Sequence, residues 1–177
     1  MIIPGWIIAV LTFPGVIVHE AAHMLFCKWR RVTILDVCFF QFRNPVGYVL
    51  HEDVRDFTSA FLIAVGPLAV NSLLCILICF PASLPVEVFS VESPLNYVLM
   101  WLGISIGMHA FPSTQDARNL WNHAKMEVKT MNPLALLSFP LVILIFIANI
   151  LSVVWLDHLY GFALGFWLPS FLFGRLL

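Results

Sequence analysis

The residues His19-Glu20-Ala21-Ala22-His23 spell H-E-x-x-H. On a helix, positions i and i+4 share a face. Two imidazoles placed so can reach one zinc ion with Zn–N distances of about 2.0–2.1 Å. Glu20, one residue along, is placed to act as general base on the attacking water and then to deliver that proton to the leaving amine. The setting argues against a chance match. The motif lies in an apolar run from Ile2 to Cys27, and an acidic side chain at mid-bilayer costs about 2.5–3.5 kcal/mol on insertion scales. Three ionisable groups within five residues of such a run need a compensating interaction, and a metal supplies one. Zn2+ is the expected cofactor, with His19 and His23 as ligands and Glu20 as the catalytic group.

A catalytic zinc usually takes three protein ligands and keeps one position for water. Two candidates for the third lie in Met108-His109-Ala110-Phe111-Pro112-Ser113-Thr114-Gln115-Asp116. Asp116 follows the third apolar run on the side where His23 is expected, although its position also suits a helix N-cap or first-turn acid. His109 lies within the apolar end of that run, as an alternative ligand or as a group that orients one. A further polar residue, Asn71 in Gly66-Pro67-Leu68-Ala69-Val70-Asn71, stands in lipid-like surroundings. There it either donates to the substrate carbonyl as charge develops or bonds a neighbouring helix. Pro14-Gly15, one turn before His19, predicts a kink.

These residues need elements to hold them. Of the 177 residues, 61% are hydrophobic and 11% charged, against roughly 25% charged in soluble domains. Lipid is the solvent this composition implies, and the length suits one domain, 1–177. About 20 apolar residues cross the hydrocarbon layer as a helix. The expected spans are Ile2–Cys27, Phe57–Phe80, Leu95–Phe111, Leu134–Leu156 and, as a shorter fifth that contains Pro169, Leu159–Phe173. The fold class expected is therefore an all-α polytopic bundle of about five transmembrane helices. Val32 to His51 is rich in β-formers and carries Arg43-Asn44-Pro45 with Gly47 just after, which predicts a β-hairpin between the first two spans.

Lys28, Arg30, Arg31, Arg43 and Arg55 fall between spans one and two; Arg118, Lys125 and Lys129 fall between spans three and four. With the fifth segment crossing, Arg175 joins them, so all nine basic residues share one side. That side is expected to be cytoplasmic, with the N-terminus outside. A net charge of −1 gives no reason to expect a nucleic-acid partner. Cys27, Cys38, Cys75 and Cys79 lack disulfide or metal-ligand spacing and are expected to pack as apolar residues. The segment Ser113–Met131 is polar and partly amphipathic, suited to a surface helix. His51, His123 and His158 read as surface or interface residues, and Asn149 as a helix-packing residue.

The chain resembles the site-2 protease family of intramembrane zinc metalloproteases. Three features occur in the family's order: H-E-x-x-H at His19–His23, G-P-x-x-x-N at Gly66–Asn71, and Asp116 after a proline-containing turn. The hairpin looks like the family's membrane-associated β element. The resemblance covers roughly residues 1–122. Where the family's third motif reads N-x-x-P and then D-G, this chain has His109, Pro112 and Asp116 followed by Ala117. No PDZ-like segment is visible, so the resemblance is to a minimal catalytic core. It implies hydrolysis of peptide bonds in or near membrane-spanning substrates, with Asp116 as third ligand; separately from the resemblance, a prokaryotic plasma membrane is the expected location. Two other classes fit the residues less well. One is a catalytically inactive relative that binds a membrane protein. The other is a metal transporter, which internal symmetry or paired broken helices would mark.

Overall fold

The computed structural model describes residues 5–54, 56–128, 133–151 and 155–176. The start of the first expected span, residues 152–154 of the fourth, Arg55 and Lys129 lie outside them. The order is α1 (Gly5–Leu11), α2 (Phe13–Trp29), β1 (Ile34–Cys38), β2 (Tyr48–His51), α3 (Phe57–Phe89), α4 (Pro94–Met108), α5 (Thr114–Val128), α6 (Pro133–Leu151), α7 (Leu156–Phe162), a π-helical stretch (Ala163–Trp167) and α8 (Leu168–Leu176). The chain is mostly helical with one small antiparallel sheet. Among the described helices, α3 alone, at 33 residues, is long and apolar enough to cross a membrane by length and composition.

Proline placement explains several boundaries. The first apolar run is not one kinked helix. It breaks at Thr12, and Pro14 lies in the first turn of α2, where a missing N–H costs nothing and a fixed φ suits the helix. Asp56 caps α3, accepting from Ser59 N at 2.8 Å. The helix then runs beyond the expected Phe80, through Pro81 and Pro85, to a left-handed Ser90. Ser93 caps α4, whose last residue is Met108, so His109 follows the helix instead of lying in it. In the last segment a π-helical stretch precedes the fully buried Pro169. The wider turn accommodates a proline ring that an α-helix would press against the carbonyl four residues back.

Helices α2, α3 and α4 pack on one another, and small residues set how closely. A Cβ on Gly15 would run into the Ser105 carbonyl of α4, and one on Gly66 into the Phe26 ring of α2. Gly107 faces Cys75, with a Cβ falling 2.8 Å from its sulfur. Cys27, Cys75 and Cys79 are buried free thiols and fill space among these contacts, as expected of them. The predicted hairpin forms, with Asp36 opposite Leu50 and Cys38 opposite Tyr48. A cluster of Cys27, Val54, Ala60 and Ile63 with Phe26, Ile34 and Val49 ties it to α2 and α3. A second cluster, Phe57, Ala64, Leu120, Ala124 and Val142, joins α3 to α5 and α6. The hairpin and the start of α5 both come up to the α2 motif, where they line one cavity with His19, Glu20 and His23.

Candidate metal centre

His19, Glu20 and His23 lie on the face of α2 turned into the bundle, at 9%, 8% and 6% exposure. Each histidine is held by its Nδ1. His19 Nδ1 is 2.7 Å from the His109 carbonyl oxygen, and His23 Nδ1 is 2.9 Å from that of Ile63. A carbonyl only accepts, so each Nδ1 carries the proton and each Nε2 is left with its lone pair. The two Nε2 atoms stand 3.1 Å apart.

Both carbonyls are ones that helices leave unpaired. Ile63 precedes Pro67 by four residues inside α3, and proline has no N–H to return to position i−4. His23 takes up the vacant acceptor. His109 lies just past the end of α4, where terminal carbonyls have no intrahelical partner. The Gly66-Pro67 pair therefore bears on the site through backbone chemistry, which the residue types alone did not reveal.

Asp116 enters from the first turn of α5. Ser113 N and Oγ donate to its Oδ2 at 2.8 and 2.6 Å, and Asp116 N donates back to Ser113 Oγ at 3.2 Å. This is a capping box in which aspartate takes the usual glutamate place. The same Oδ2 is 3.6 Å from His23 Nε2. The cap and ligand readings of Asp116 are thus compatible: the cap fixes the carboxylate where the imidazoles converge. Burial opposes ionisation of this carboxyl, while the Ser113 hydroxyl and, when a second proton sits on His23 Nε2, the His23 imidazolium favour it and lower its pKa.

One donor atom from each of His19, His23 and Asp116 lies within 4.8 Å of the others, a grouping that could hold a metal ion. Two Zn–N bonds at a tetrahedral angle would set the nitrogens roughly 3.3 Å apart, close to the separation present. Two buried lone pairs facing each other repel unless a cation or proton lies between them. The donor set therefore fits zinc in type and protonation, and the His19–His23 pair fits it in spacing.

His109 is close but turned away. Thr12 Oγ1 donates to the Ile8 carbonyl at 2.7 Å and so must accept from His109 Nε2 at 2.8 Å. In this arrangement its contribution to the donor group is its backbone oxygen, not its ring. Asn71 is fully buried, and its Nδ2 is 3.1 Å from the Ile106 and His109 carbonyls and 3.4 Å from that of Gly15. With its amide hydrogens on backbone carbonyls, it bonds helix to helix and steadies the carbonyl that orients His19. No amide hydrogen is left here for the expected donation to a substrate carbonyl.

The hairpin comes down on Glu20. A Cβ on Gly47 would fall 2.8 Å from Glu20 Cγ, 3.0 Å from the Phe39 carbonyl and 3.0 Å from Val16 Cγ1. Only a residue without a side chain fits over the carboxylate. A cavity of about 440 Å³ opens there, between Pro45–Val49 of the hairpin and Ser113–Asp116, with His19, Glu20 and His23 on its wall. Gly47 was legible as a turn residue; its place over Glu20 depends on how the hairpin docks. Comparison with protein-family models, curated proteins and solved structures returned no match.

Proposed function

We propose that this chain is a zinc-dependent intramembrane endopeptidase that hydrolyses peptide bonds in or near transmembrane segments of membrane proteins. The observation that carries the reading is the convergence of His19, His23 and Asp116 within 4.8 Å, both Nδ1 atoms being held by carbonyls, beside the partly open Glu20 cavity. The polytopic arrangement in a prokaryotic plasma membrane, basic connections inside and N-terminus outside, belongs to the same proposal. Support comes from the apolar α3 and from large side chains presented outward on several helices: Leu73 and Leu77 at 57%, Trp101 at 43%, Leu144 at 60%, Ile150 at 70% and Trp167 at 55% exposure. Soluble monomers seldom expose apolar surface on this scale.

Bound by His19, His23 and Asp116, zinc supplies a Lewis acid that lowers the pKa of water and polarises the scissile carbonyl. Glu20 takes a proton from water as its oxygen bonds the carbonyl carbon, and passes that proton to the amide nitrogen as the C–N bond breaks. Gly47 leaves Glu20 room to do so. A substrate helix must unwind first, since its carbonyls are already hydrogen-bonded. The Pro45–Val49 edge is placed to receive the unwound strand by β-pairing. Glu20→Gln is expected to abolish cleavage of a membrane-protein substrate while retaining one equivalent of zinc; cleavage at the wild-type rate would sink the assignment.

A further inference from the structure

The Glu20 cavity has a neighbour on the α4 side. This second cavity, of about 220 Å³, shares His19, Glu20 and Ser113 with it, so the two meet beside the general base and a histidine donor. No hairpin residue lines it, so a strand laid along Pro45–Val49 leaves it free. The cavity behind Asp116, by contrast, touches none of His19, Glu20 and His23. Ligand pockets begin at about 300 Å³; the α4-side space is of a size for one side chain of a bound strand, not for a separate molecule.

Its lining is half apolar and half polar. Val16, Met108, Phe111, Pro112 and Ala148 form the apolar wall. The polar side chains offer acceptors and no free donor. Ser113 Oγ donates to Asp116 Oδ2 at 2.6 Å, and His19 Nδ1 to the His109 carbonyl at 2.7 Å. His109 Nε2 donates to Thr12 Oγ1 at 2.8 Å, which leaves Nδ1 with a lone pair. Asp157, in the first turn of α7, accepts from His158 N at 3.0 Å and His158 Nδ1 at 2.6 Å, both through Oδ1. A neutral imidazole suffices for the second bond, so the carboxylate keeps its charge. Asp116 and an ionised Glu20 together match the charge of a divalent ion. Asp157 then has no cation of its own, since among the described residues its sole ion-pair partner is His158.

What fits is an apolar stem that ends in donors alone. A Lys ammonium brings three N–H donors and an Arg guanidinium five, with no acceptor, and both lay their methylene stems along apolar surface. A Met in this place leaves Asp157 without a partner, and a Gln sets a further oxygen among acceptors. We propose that the α4-side cavity is the specificity pocket of the peptidase, in which Asp157 receives a Lys or Arg side chain flanking the scissile bond. The preferred substrates are accordingly membrane segments that carry a basic residue. Such a residue is costly in lipid, and Asp157 offsets that cost once the segment has entered the site. The inference rests on the peptidase reading above and names the substrate class for it.

The test is cleavage by the full chain, zinc-loaded in detergent micelles, of a pooled library of single-span proteins randomised over the membrane segment and its edges. Mass spectrometry reads the cut sites. At one of the two positions flanking the cut, Lys and Arg should be enriched over Met by about tenfold or more, the worth of a hydrogen bond to a charged group. Asp157→Asn keeps an oxygen for His158 and should remove that enrichment; Asp157→Glu should retain it. The enrichment is a ratio within one library, so a chain that merely folds less well lowers all cuts alike. Should Asp157→Asn not fold, Ala148→Leu, which narrows the apolar wall, should shift the preference from Lys and Arg to smaller side chains. A dye-labelled library member with Lys at the cut should also bind the Glu20→Gln chain about tenfold more tightly than its counterpart with Met there. Cutting without basic enrichment overturns the pocket alone, as does enrichment undiminished in Asp157→Asn or Ala148→Leu, or equal binding of the Lys and Met forms. A wild-type chain that cuts no member of the library overturns the peptidase reading, and the pocket with it.

Discussion

His23 and His109 both lie near the centre of the molecule, and both were candidate ligands. They differ in which nitrogen the fold commits. His23 Nδ1 is tied to the Ile63 carbonyl, which turns Nε2 toward His19 and Asp116. His109 Nε2 is tied to Thr12, and its backbone oxygen, not its ring, reaches His19. An imidazole in an apolar interior is thus a ligand or a support according to the acceptor that claims its other side. Outer-shell partners of metal-bound histidines matter for this reason.

The largest expected effect breaks the comparison outright. His23→Ala should lose stoichiometric zinc in a purified preparation, whereas His109→Ala should keep it; elemental analysis of both decides, and equal loss would make His109 a ligand. Next comes the other member of the centre, Glu20. Gly47→Ala places a methyl group 2.8 Å from Glu20 Cγ. A displacement approaching 1 Å at a reacting group can cost about 100-fold, so kcat/KM for a membrane substrate should fall by that order with zinc content unchanged.

A smaller effect sharpens the contrast at the carbonyl. Pro67→Ala restores an N–H that competes for the Ile63 oxygen. Zinc affinity should weaken by about 10-fold, the low end for outer-shell changes, and competition with a chelator would reveal it. The smallest effect lies away from the site, at Asp56. Its carboxyl is held below the usual range by the Ser59 hydroxyl, with the Ser59 N–H and Arg30 assisting. Because the folded pKa is depressed, the stabilisation is complete above the unfolded value, about 3.9, and disappears as pH falls through the folded one. Asp56→Ala should therefore cost about 1 kcal/mol at neutral pH as a lost N-cap. The difference from wild type should fade as pH falls through the depressed folded-state pKa in denaturant titrations.

Much of this was legible in the chain. Apolar runs marked α3 and α4, alternation and turn residues marked the hairpin, and the polar stretch after Pro112 marked α5. What was misplaced follows from local competition at prolines. Pro14 starts a helix instead of kinking one, and α3 continues through Pro81 and Pro85 to a left-handed Ser90. Asp116 presented two readings, cap and ligand; the geometry shows the cap, and the capping oxygen is also the one 3.6 Å from His23 Nε2.

The chain by itself determined that His19 and His23 share a helix face with Glu20 beside them, because a helical turn relates residues four apart whatever surrounds them. Folding alone decided which nitrogen of each ring is free, that Asp116 and not the His109 ring faces the pair, and that Gly47 covers Glu20. Those outcomes depend on contacts between residues 27 to 97 positions apart. At such separations no local propensity acts, and carbonyls left unpaired by a proline or a helix end select the arrangement.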